Sequence, residues 1–380
     1  MEKIAHIVVS THDSLHPIRG GGALRTLKAA EEFKKRGHQV IIIAPTDGVG
    51  ELSGIKTHWL HAPCKQRSQI LSSLKFNVRL LRKFLQFARN TDMFFVHNTI
   101  AAVFLPCLKP FFHFRFVLDI TDIHAEYLPV GKRNLVEKLL TPFLLRVEYW
   151  IIGSADRIIV ETQAMRRLLA AKGIPSARVA VVYDGAEPEK IPCDKKPGSE
   201  NRVIHLGTVD RQHGVEVFVR AMPFVLARRP ETKFLIVGGG RELPNVRMLA
   251  SSLNVSGSCV FTDHLSCEEA RQWLRQAAIG VIPRQDFLPN RIVTTLKLYE
   301  YWAGRTAVVS SRLEGIAEIA CDGQDILFYA PGDPEDFAAK ILRLLESADL
   351  RGRIQEGGLK TVRQYRWGEL VPRIVDWALS

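Results

Sequence analysis

Two charged residues one helical turn apart, Lys297 and Glu300, form the pair whose types and spacing best predict a binding chemistry. They lie in residues 296–304, where apolar side chains recur at helical spacing and Gly304 is a suitable C-terminal cap. A carboxylate has two acceptor oxygens, which suit the two hydroxyls of a ribose. An ammonium one turn away suits a phosphate. The pair therefore predicts a helix that holds a nucleotide by its ribose and phosphate groups.

A glycine run opens the first predicted helix of the chain. Residues 19–22 read Arg-Gly-Gly-Gly and stand between a predicted strand at 4–10 and a predicted helix at 23–36. Backbone N–H groups of Gly21 and Gly22 at a helix start can approach an anion closely. The run does not match GxGxxG, and no acidic residue ends the next predicted strand, so a dinucleotide-binding site is poorly supported.

Polar residues follow two further predicted strands, where open parallel sheets place their ligands. Asp122 is the preferred candidate for a reactive carboxylate, and its alternative role is an N-cap of the next helix. Asp119 and His124 are close enough in sequence to take its place. His97, at the end of the preceding strand, is either a structural histidine or a base.

The order of predicted elements indicates two α/β domains, which a chain of 380 residues also favours. Strands and helices alternate up to residue 188, and the alternation restarts at residue 202. Residues 189–201 contain two prolines, a glycine and mixed charge, which is typical of a linker. We therefore predict a first domain at 1–188, completed by a C-terminal helix at 365–380, and a second domain at 202–364, with a cleft between them.

Composition favours a folded cytoplasmic protein. Apolar residues make up 46% of the chain and charged residues 24%. The six cysteines show no CxxC pair and no matching histidine spacing, so neither a zinc site nor a disulfide framework is indicated. No uncharged apolar run reaches the length of about 18 residues that spans a bilayer, and the N-terminal apolar run is too short for a signal peptide. We expect a chain that does not cross a membrane.

Positive charge is concentrated in the first half of the chain. Residues 1–190 contain 27 Lys and Arg against 17 Asp and Glu, whereas residues 191–380 contain 25 against 23. Residues 56–89 form a basic amphipathic segment without an acidic residue, which suits an anionic membrane surface. A solvated helix face above a core stripe is an alternative of equal weight. Nucleic acid is disfavoured, because the basic residues do not alternate with aromatic ones. The basic residues are Lys56, Lys65, Arg67, Lys75, Arg79, Arg82, Lys83 and Arg89.

These motifs together resemble family 4 of the retaining glycosyltransferases, enzymes of the GT-B fold with two Rossmann-like domains and parallel sheets facing across a cleft. Residues 19–22 look like the family's glycine loop under the donor diphosphate, and 183–187 occupy the place of its hinge motif. Residues 207–214 stand where the family binds phosphate. Residues 297–304 and 315–319 match its donor-domain signature closely. The resemblance covers essentially the whole chain.

Three positions depart from the family pattern. Many members carry two glutamates eight positions apart; Glu300 is the second, and Ile292 occupies the first position. A similar subgroup keeps the lysine found here at 297 and also lacks the first glutamate, so this loss does not indicate inactivity. The phosphate-loop arginine and lysine are replaced by Thr208 and His213. Arg211 is the candidate replacement, because a guanidinium can bind two phosphate oxygens at once.

The resemblance implies transfer of a hexose or related sugar, with retention, from a UDP- or GDP-sugar to a saccharide or lipid-linked acceptor. Cationic groups would stabilise the departing diphosphate, so no metal and no cofactor are expected. The expected catalytic residues are Asp122, placed near the acceptor hydroxyl, Lys297 and Glu300. Contacts to the nucleotide sugar are expected from Gly21, Gly22, Thr208, Arg211, His213, Lys297 and Glu300.

Two alternatives stay open from the sequence. A nucleotide-sugar-binding subunit without catalysis is suggested by Ile292, Thr208 and His213. A UDP-sugar 2-epimerase would also use a GT-B fold, but the chain offers few acids and bases at the matching loops. For the main hypothesis we expect a cytoplasmic enzyme, with peripheral binding of its basic first domain to the inner face of the membrane.

Overall fold

The computed structural model describes residues 4–18, 20–60, 69–128 and 135–380; side chains at 69–74, 135–139 and 267 lie outside the description. Arg19, Lys65 and Arg67, which the sequence analysis singled out, are also outside the described residues. The chain divides into two compact units. The first unit is Met1–Asp184 with Gly368–Ser380, and the second unit is Gly185–Trp367.

The first unit is built on an eight-stranded sheet with the order β3-β4-β2-β1-β5-β6-β7-β8. Neighbouring strands pair in parallel, except β3 with β4. The strands are β1 His6–Thr11, β2 Gln39–Ala44, β3 Glu51–Leu52, β4 Ile55–Trp59, β5 Met93–His97, β6 Arg115–Ile120, β7 Arg157–Val160 and β8 Val179–Val181. Central strands such as β5 are buried along their whole length, which explains their almost uninterrupted apolar sequence.

Helices cover this sheet, and the last of them comes from the C-terminal end of the chain. They are α1 Gly21–Lys35, α2 Gln69–Phe87, α3 Leu105–Leu108, α4 His124–Tyr127, α5 Leu135–Ser154, α6 Gln163–Ala171 and, far along the chain, α15 Trp367–Leu379. The indole N–H of Trp377 donates to the Ile158 carbonyl at 3.0 Å, and Asp376 pairs with Arg36 at 2.6 Å. These contacts fix α15 against the first unit.

The second unit contains a six-stranded parallel sheet with the order β11-β10-β9-β12-β13-β14. Its strands are β9 Arg202–Leu206, β10 Lys233–Val237, β11 Cys259–Phe261, β12 Ile279–Ile282, β13 Ala307–Ser311 and β14 Leu327–Tyr329. Its helices are α7 Val215–Leu226, α8 Leu243–Ser252, α9 Cys267–Leu274, α10 Leu288–Arg291, α11 Leu296–Ala303, α12 Glu314–Ala317, α13 Pro334–Glu346 and α14 Ala348–Val362. The strand order reverses at β9, which is the arrangement of a doubly wound Rossmann-like sheet.

The first helix begins earlier than the sequence predicts. Gly21 and Gly22 form the first turn of α1 and do not belong to the preceding loop; Gly20 is the N-cap residue, with φ of 92°. Its left-handed backbone suits glycine, and a glycine N-cap has no side chain to bind the first N–H groups of the helix.

No helix within the described residues is long and apolar enough to span a bilayer.

Candidate functional site

The loops after β9 and β12 meet at the point where the strand order of the second unit reverses, which is where sheets of this kind bind ligands. Gly214, in the left-handed region at φ 63°, lies directly on the loop after β12, and a Cβ there would be 1.9 Å from the Pro283 carbonyl oxygen. The Asn290 amide donates to the carbonyls of Gln212 and Gln285, each at 2.8 Å. A glycine and one amide thus hold the two loops together.

Helix α11 is fixed under these loops by two aromatic residues. The Tyr301 hydroxyl accepts the Leu206 N–H at 2.9 Å and lies 3.2 Å from the Ile204 carbonyl, so it is bonded to β9 itself. The Trp302 indole N–H donates to the Asp325 carbonyl at 2.8 Å. Both side chains are buried. Lys297 lies one helical turn before Tyr301, so both are on the side of α11 that meets β9 and Gly207.

Lys297 is buried close to the guanidinium of Arg284. It is 8% exposed, and a Cβ on Gly207 would lie 3.5 Å from its Nζ. Burial, and then the charge of Arg284, lower the pKa of Lys297 to about 7, while Glu300 acts in the opposite direction. Burial and the Lys297 charge also hold the pKa of His205 well below its usual range, so this imidazole is neutral. The site therefore concentrates positive charge where a buried anion would neutralise it.

Glu300 is paired with an arginine from a different helix. Its Oε1 accepts from Arg271 Nε of α9 at 3.2 Å, and about a fifth of the carboxylate side chain, 21%, remains exposed. Burial raises the pKa of Glu300, whereas Arg271 and then Lys297 lower it. The carboxylate is thus held in place while its other oxygen stays available to accept hydroxyl hydrogens.

The residues expected on the phosphate loop occupy different environments. Thr208 and Arg211 are exposed, and Arg211 begins the 3₁₀ turn Arg211–His213. His213 is half-buried, and desolvation, then Lys297 and Arg284, hold its pKa well below the usual range. Within the described part of the chain its Nδ1 has no hydrogen-bond partner.

Sequence reasoning missed Arg284. This residue stands two positions after β12, and its Nη1 donates to the Thr294 carbonyl at 3.0 Å. A basic residue directly after a predicted strand was the available signal. Ile292, at the position where the family often carries a glutamate, is 3% exposed and part of the apolar core. It offers no polar contact through its side chain.

The glycines of α1 belong to the first unit, and Gly22 faces His97. A Cβ on Gly22 would lie 2.4 Å from Nε2 of His97 and 2.6 Å from Oδ2 of Asp13, so only glycine fits there. Burial raises the pKa of Asp13, but the charges of His12, His97 and His124 outweigh it and lower that pKa. Asp13 and these histidines form a polar cluster at or beyond the carboxyl ends of β1, β5 and β6.

Asp119 is part of a buried ion network and not an open carboxylate. Arg25, fully buried on α1, donates from Nε to Asp119 Oδ2 at 2.8 Å and from Nη1 to Asp184 Oδ1 at 3.1 Å. His97 Nδ1 lies 3.2 Å from the same Asp119 oxygen. Burial raises the pKa of Asp119, yet Arg25 and His97 together lower it to about 2. The role of Asp119 is therefore to bind Arg25 and orient His97.

Asp122 is a partly exposed carboxylate beside this network. The Tyr127 hydroxyl donates to its Oδ1 at 2.6 Å, and its backbone N–H donates to Asn98 at 3.2 Å. The N-cap of α4 is Ile123, so Asp122 does not cap that helix. His124 is 30% exposed at the start of α4, and its ring meets that of His12 edge-on at 5.1 Å. Among the described residues, His, Cys, Asp and Glu side chains form no group of three that could hold a metal ion.

Two family models match the chain, and together they cover most of it. Glycosyltransferase Family 4 matches residues 19–190, and Glycosyl transferases group 1 matches residues 200–347. The first match lies within the first unit apart from its last residues, and the second lies within the second unit. The matched regions contain Asp122 in the first unit and Lys297 with Glu300 in the second, whereas His12 and Asp13 lie before the first match.

Two named glycosyltransferases are similar in sequence to this chain, over different fractions of its length. It is 25% identical to phosphatidyl-myo-inositol mannosyltransferase of Mycolicibacterium smegmatis over 94% of this chain and 89% of that protein. It is 24% identical to D-inositol 3-phosphate glycosyltransferase 2 of Catenulispora acidiphila over 60% of this chain, and the match spans about half of that relative, 56%.

Solved structures share the fold at low sequence identity. Sucrose-phosphate synthase of Thermosynechococcus elongatus superposes with a TM-score of 0.82 at 18% identity, covering 98% of both chains. HepE of Anabaena, solved in complex with UDP and glucose, has a TM-score of 0.77 at 15% identity and covers 98% of this chain and 99% of its own. The predicted GT-B class is confirmed by these likenesses, and the chain belongs to glycosyltransferase family 4.

Proposed function

We propose that the protein transfers a sugar, with retention, from a UDP- or GDP-sugar to a saccharide or lipid-linked acceptor. The second unit would bind the nucleotide sugar and the basic first unit the acceptor. The observation that carries this proposal is the pairing on α11 of a buried cation, Lys297, with a held carboxylate, Glu300. The names of similar proteins, an inositol-lipid mannosyltransferase and a structure with bound UDP and glucose, support this substrate class.

The chemistry requires stabilisation of a departing diphosphate. The bond between the anomeric carbon and the phosphate oxygen breaks as the acceptor oxygen attacks from the same face. The acceptor proton passes to the leaving phosphate, which balances the reaction without a separate base. Lys297 is proposed to stabilise the developing negative charge, because a buried cation interacts strongly with it. Arg211, which is exposed on the loop after β9, is proposed as a further contact to the phosphates.

Glu300 is proposed to accept hydrogen bonds from both ribose hydroxyls, with Arg271 fixing its orientation. Asp122 is proposed to lie near the acceptor hydroxyl or the cationic sugar centre. Its support is a partly exposed carboxylate with one oxygen bonded to Tyr127. Both assignments concern residues whose side chains are oriented by neighbours and still accessible.

The decisive test is Glu300→Ala assayed for sugar transfer and for donor binding. We expect transfer to be abolished and the fold to be retained, since the carboxylate is not part of the apolar core. Glu268→Ala is the matched control, because Glu268 is an exposed carboxylate on neighbouring α9 that, among the described residues, accepts from Gln272 of the same helix at 3.2 Å. Unchanged turnover of Glu300→Ala would remove the assignment.

A thermal-shift screen of UDP-, GDP- and ADP-sugars identifies the donor. A ligand at 100 times its dissociation constant adds about 2.7 kcal/mol to stability.

The buried apolar side chain of Ile292 supports a second candidate function, a nucleotide-sugar-binding subunit without catalysis. Tight donor binding with no turnover on any acceptor would favour that function over transfer.

We also propose that the first unit binds anionic membranes through α2. Its described exposed face presents Lys75, Val78, Arg79, Arg82 and Leu85, while Phe76, Leu80 and Phe84 are buried against the unit. Four of the exposed residues, Lys75, Val78, Arg79 and Arg82, line an open groove of about 420 Å³. Cationic heads beside apolar side chains suit the boundary between headgroups and acyl chains.

A further inference from the structure

The cations around Lys297 exceed the carboxylates that face them. Arg284 is the charge that most strongly opposes protonation of Lys297, after burial itself, and it also acts on His213. Glu300 faces Lys297, but its Oε1 is bonded to Arg271. A buried ammonium beside a guanidinium is unfavourable unless an anion joins them.

Arg284 is anchored in a way that leaves most of its donors available. One of its N–H groups, on Nη1, donates to the Thr294 carbonyl just before α11. Its Nε is buried and, among the described residues, has no hydrogen-bond partner. A guanidinium carries five donors, so one bond to the protein holds it without saturating it. The buried Nε shows a donor that the protein alone leaves unsatisfied, which is costly unless a ligand accepts from it.

The backbone fixes Arg284 close to the phosphate loop. Gly214 lies in contact with the Pro283 carbonyl immediately before Arg284. Asn290 bonds the loop after β9 to the loop after β12 through Gln212 and Gln285. The guanidinium thus stands on a rigid segment next to the phosphate-binding position and does not belong to that loop itself.

We propose that Arg284 is a cationic ligand of the donor diphosphate and replaces, from the loop after β12, the arginine that the phosphate loop lacks at Thr208. This inference rests on the proposed function. A diphosphate matches the site because it brings two negative charges and several acceptor oxygens, which a guanidinium can bind in pairs. Thr208 is exposed and uncharged, so it cannot supply this charge. The site is therefore specific for donors with two phosphates over donors with one.

The test compares binding of nucleoside diphosphates and monophosphates to the full chain. Titration calorimetry of wild type, Arg284→Lys and Arg284→Met with UDP, UMP, GDP and GMP gives the affinities. We expect Arg284→Met to lower the affinity for the diphosphates by about tenfold or more, because one charged hydrogen-bonded contact is lost. The affinity for the monophosphates should fall much less. Arg284→Lys should recover part of the loss. Arg291→Met is the matched control, because Arg291 is an exposed arginine on α10 whose Nη2 binds Asp286 at 3.0 Å.

The possible results distinguish a failure of the Arg284 assignment from a failure of the proposed function. Equal weakening of diphosphate and monophosphate, or no weakening, would overturn the role of Arg284, because a merely structural arginine has no preference between them. Inorganic pyrophosphate is the second probe. Pyrophosphate binding that is lost in Arg284→Met, with no nucleoside diphosphate bound by wild type, would contradict the proposed function and retain the anion site. Pyrophosphate and diphosphate binding that both persist unchanged in Arg284→Met would overturn the inference alone.

Discussion

At the scale of single residues, Lys297 makes donor binding dependent on pH. Its pKa is about 7 in the free protein, below the ordinary lysine value, because burial and Arg284 disfavour the charged form. A bound diphosphate favours the charged form and raises that pKa, so binding above pH 7 takes up a proton. Affinity for the donor should therefore be flat below pH 7 and fall above it, by up to about tenfold per pH unit.

Titration of the nucleotide-sugar Kd between pH 6 and 9 measures this effect. Lys297→Met should bind weakly with a flat profile. Lys195→Met is the control, because burial lowers the pKa of Lys195 to about 7 as well, while its Nζ is bonded to the Leu274 carbonyl and Thr306, each at 2.7 Å. A wild-type affinity that does not change above pH 7, or a slope that disappears in Lys195→Met, would contradict the assignment.

Residue pairs that join distant parts of the chain could not be predicted from the sequence. The helix carrying Lys297 and Glu300 was predictable, since its apolar spacing and terminal glycine are local signals. Arg25 meets Asp119 across 94 positions and Arg271 meets Glu300 across 29, and no local pattern indicates either contact. Asp119 therefore looked like an available carboxylate until its buried partner was known.

At the scale of elements, the anchoring of α11 depends on one hydroxyl. Tyr301→Phe removes the acceptor of the buried Leu206 N–H, and leaving such a group unsatisfied costs about 1–3 kcal/mol. Chemical denaturation should show this loss of unfolding free energy. Tyr329→Phe is the matched comparison: it is equally buried, and its hydroxyl faces the Ser311 side chain, not a buried backbone N–H. That variant should lose less unfolding free energy, and equal losses in both variants would exclude the special role of Tyr301.

The charged face of α2 should determine how strongly the protein binds anionic membranes. Arg79→Gln with Arg82→Gln should reduce binding to vesicles rich in anionic lipid, because each cation near the headgroups contributes about 1 kcal/mol. Co-sedimentation with anionic and neutral vesicles at low and high salt measures the effect. Arg220→Gln with Arg353→Gln removes the same charge from exposed positions of the second unit and should have little effect. Wild-type binding that ignores lipid charge and salt would contradict the membrane proposal.

At the scale of the whole molecule, the fold class was the most predictable property. Alternation of apolar strands and amphipathic helices, restarting after a linker, is a pattern repeated over many residues, so single errors do not alter it. Boundaries were less predictable: the glycines at 21 and 22 were assigned to a loop, because helix-breaking composition outweighed the periodicity that follows. Motifs spread along the chain also sufficed to recognise the family, which the two family models confirm.

The C-terminal segment ties the end of the chain to its first unit, and its removal should unfold that unit selectively. The buried apolar side chains of α15 that belong to the first unit are Leu370, Val371, Ile374, Val375 and Ala378. Each large one contributes about 1.5–3 kcal/mol, so their sum approaches the whole stability of a domain, about 5–15 kcal/mol. Deletion of residues 368–380 should therefore abolish hydrogen-exchange protection in the first unit, while peptides of the second unit stay protected. Asp376→Asn is the mild control, because that carboxylate is 65% exposed and its pair with Arg36 contributes at most about 1 kcal/mol. Uniform loss of protection in both units after the deletion would show that α15 stabilises more than the unit it contacts.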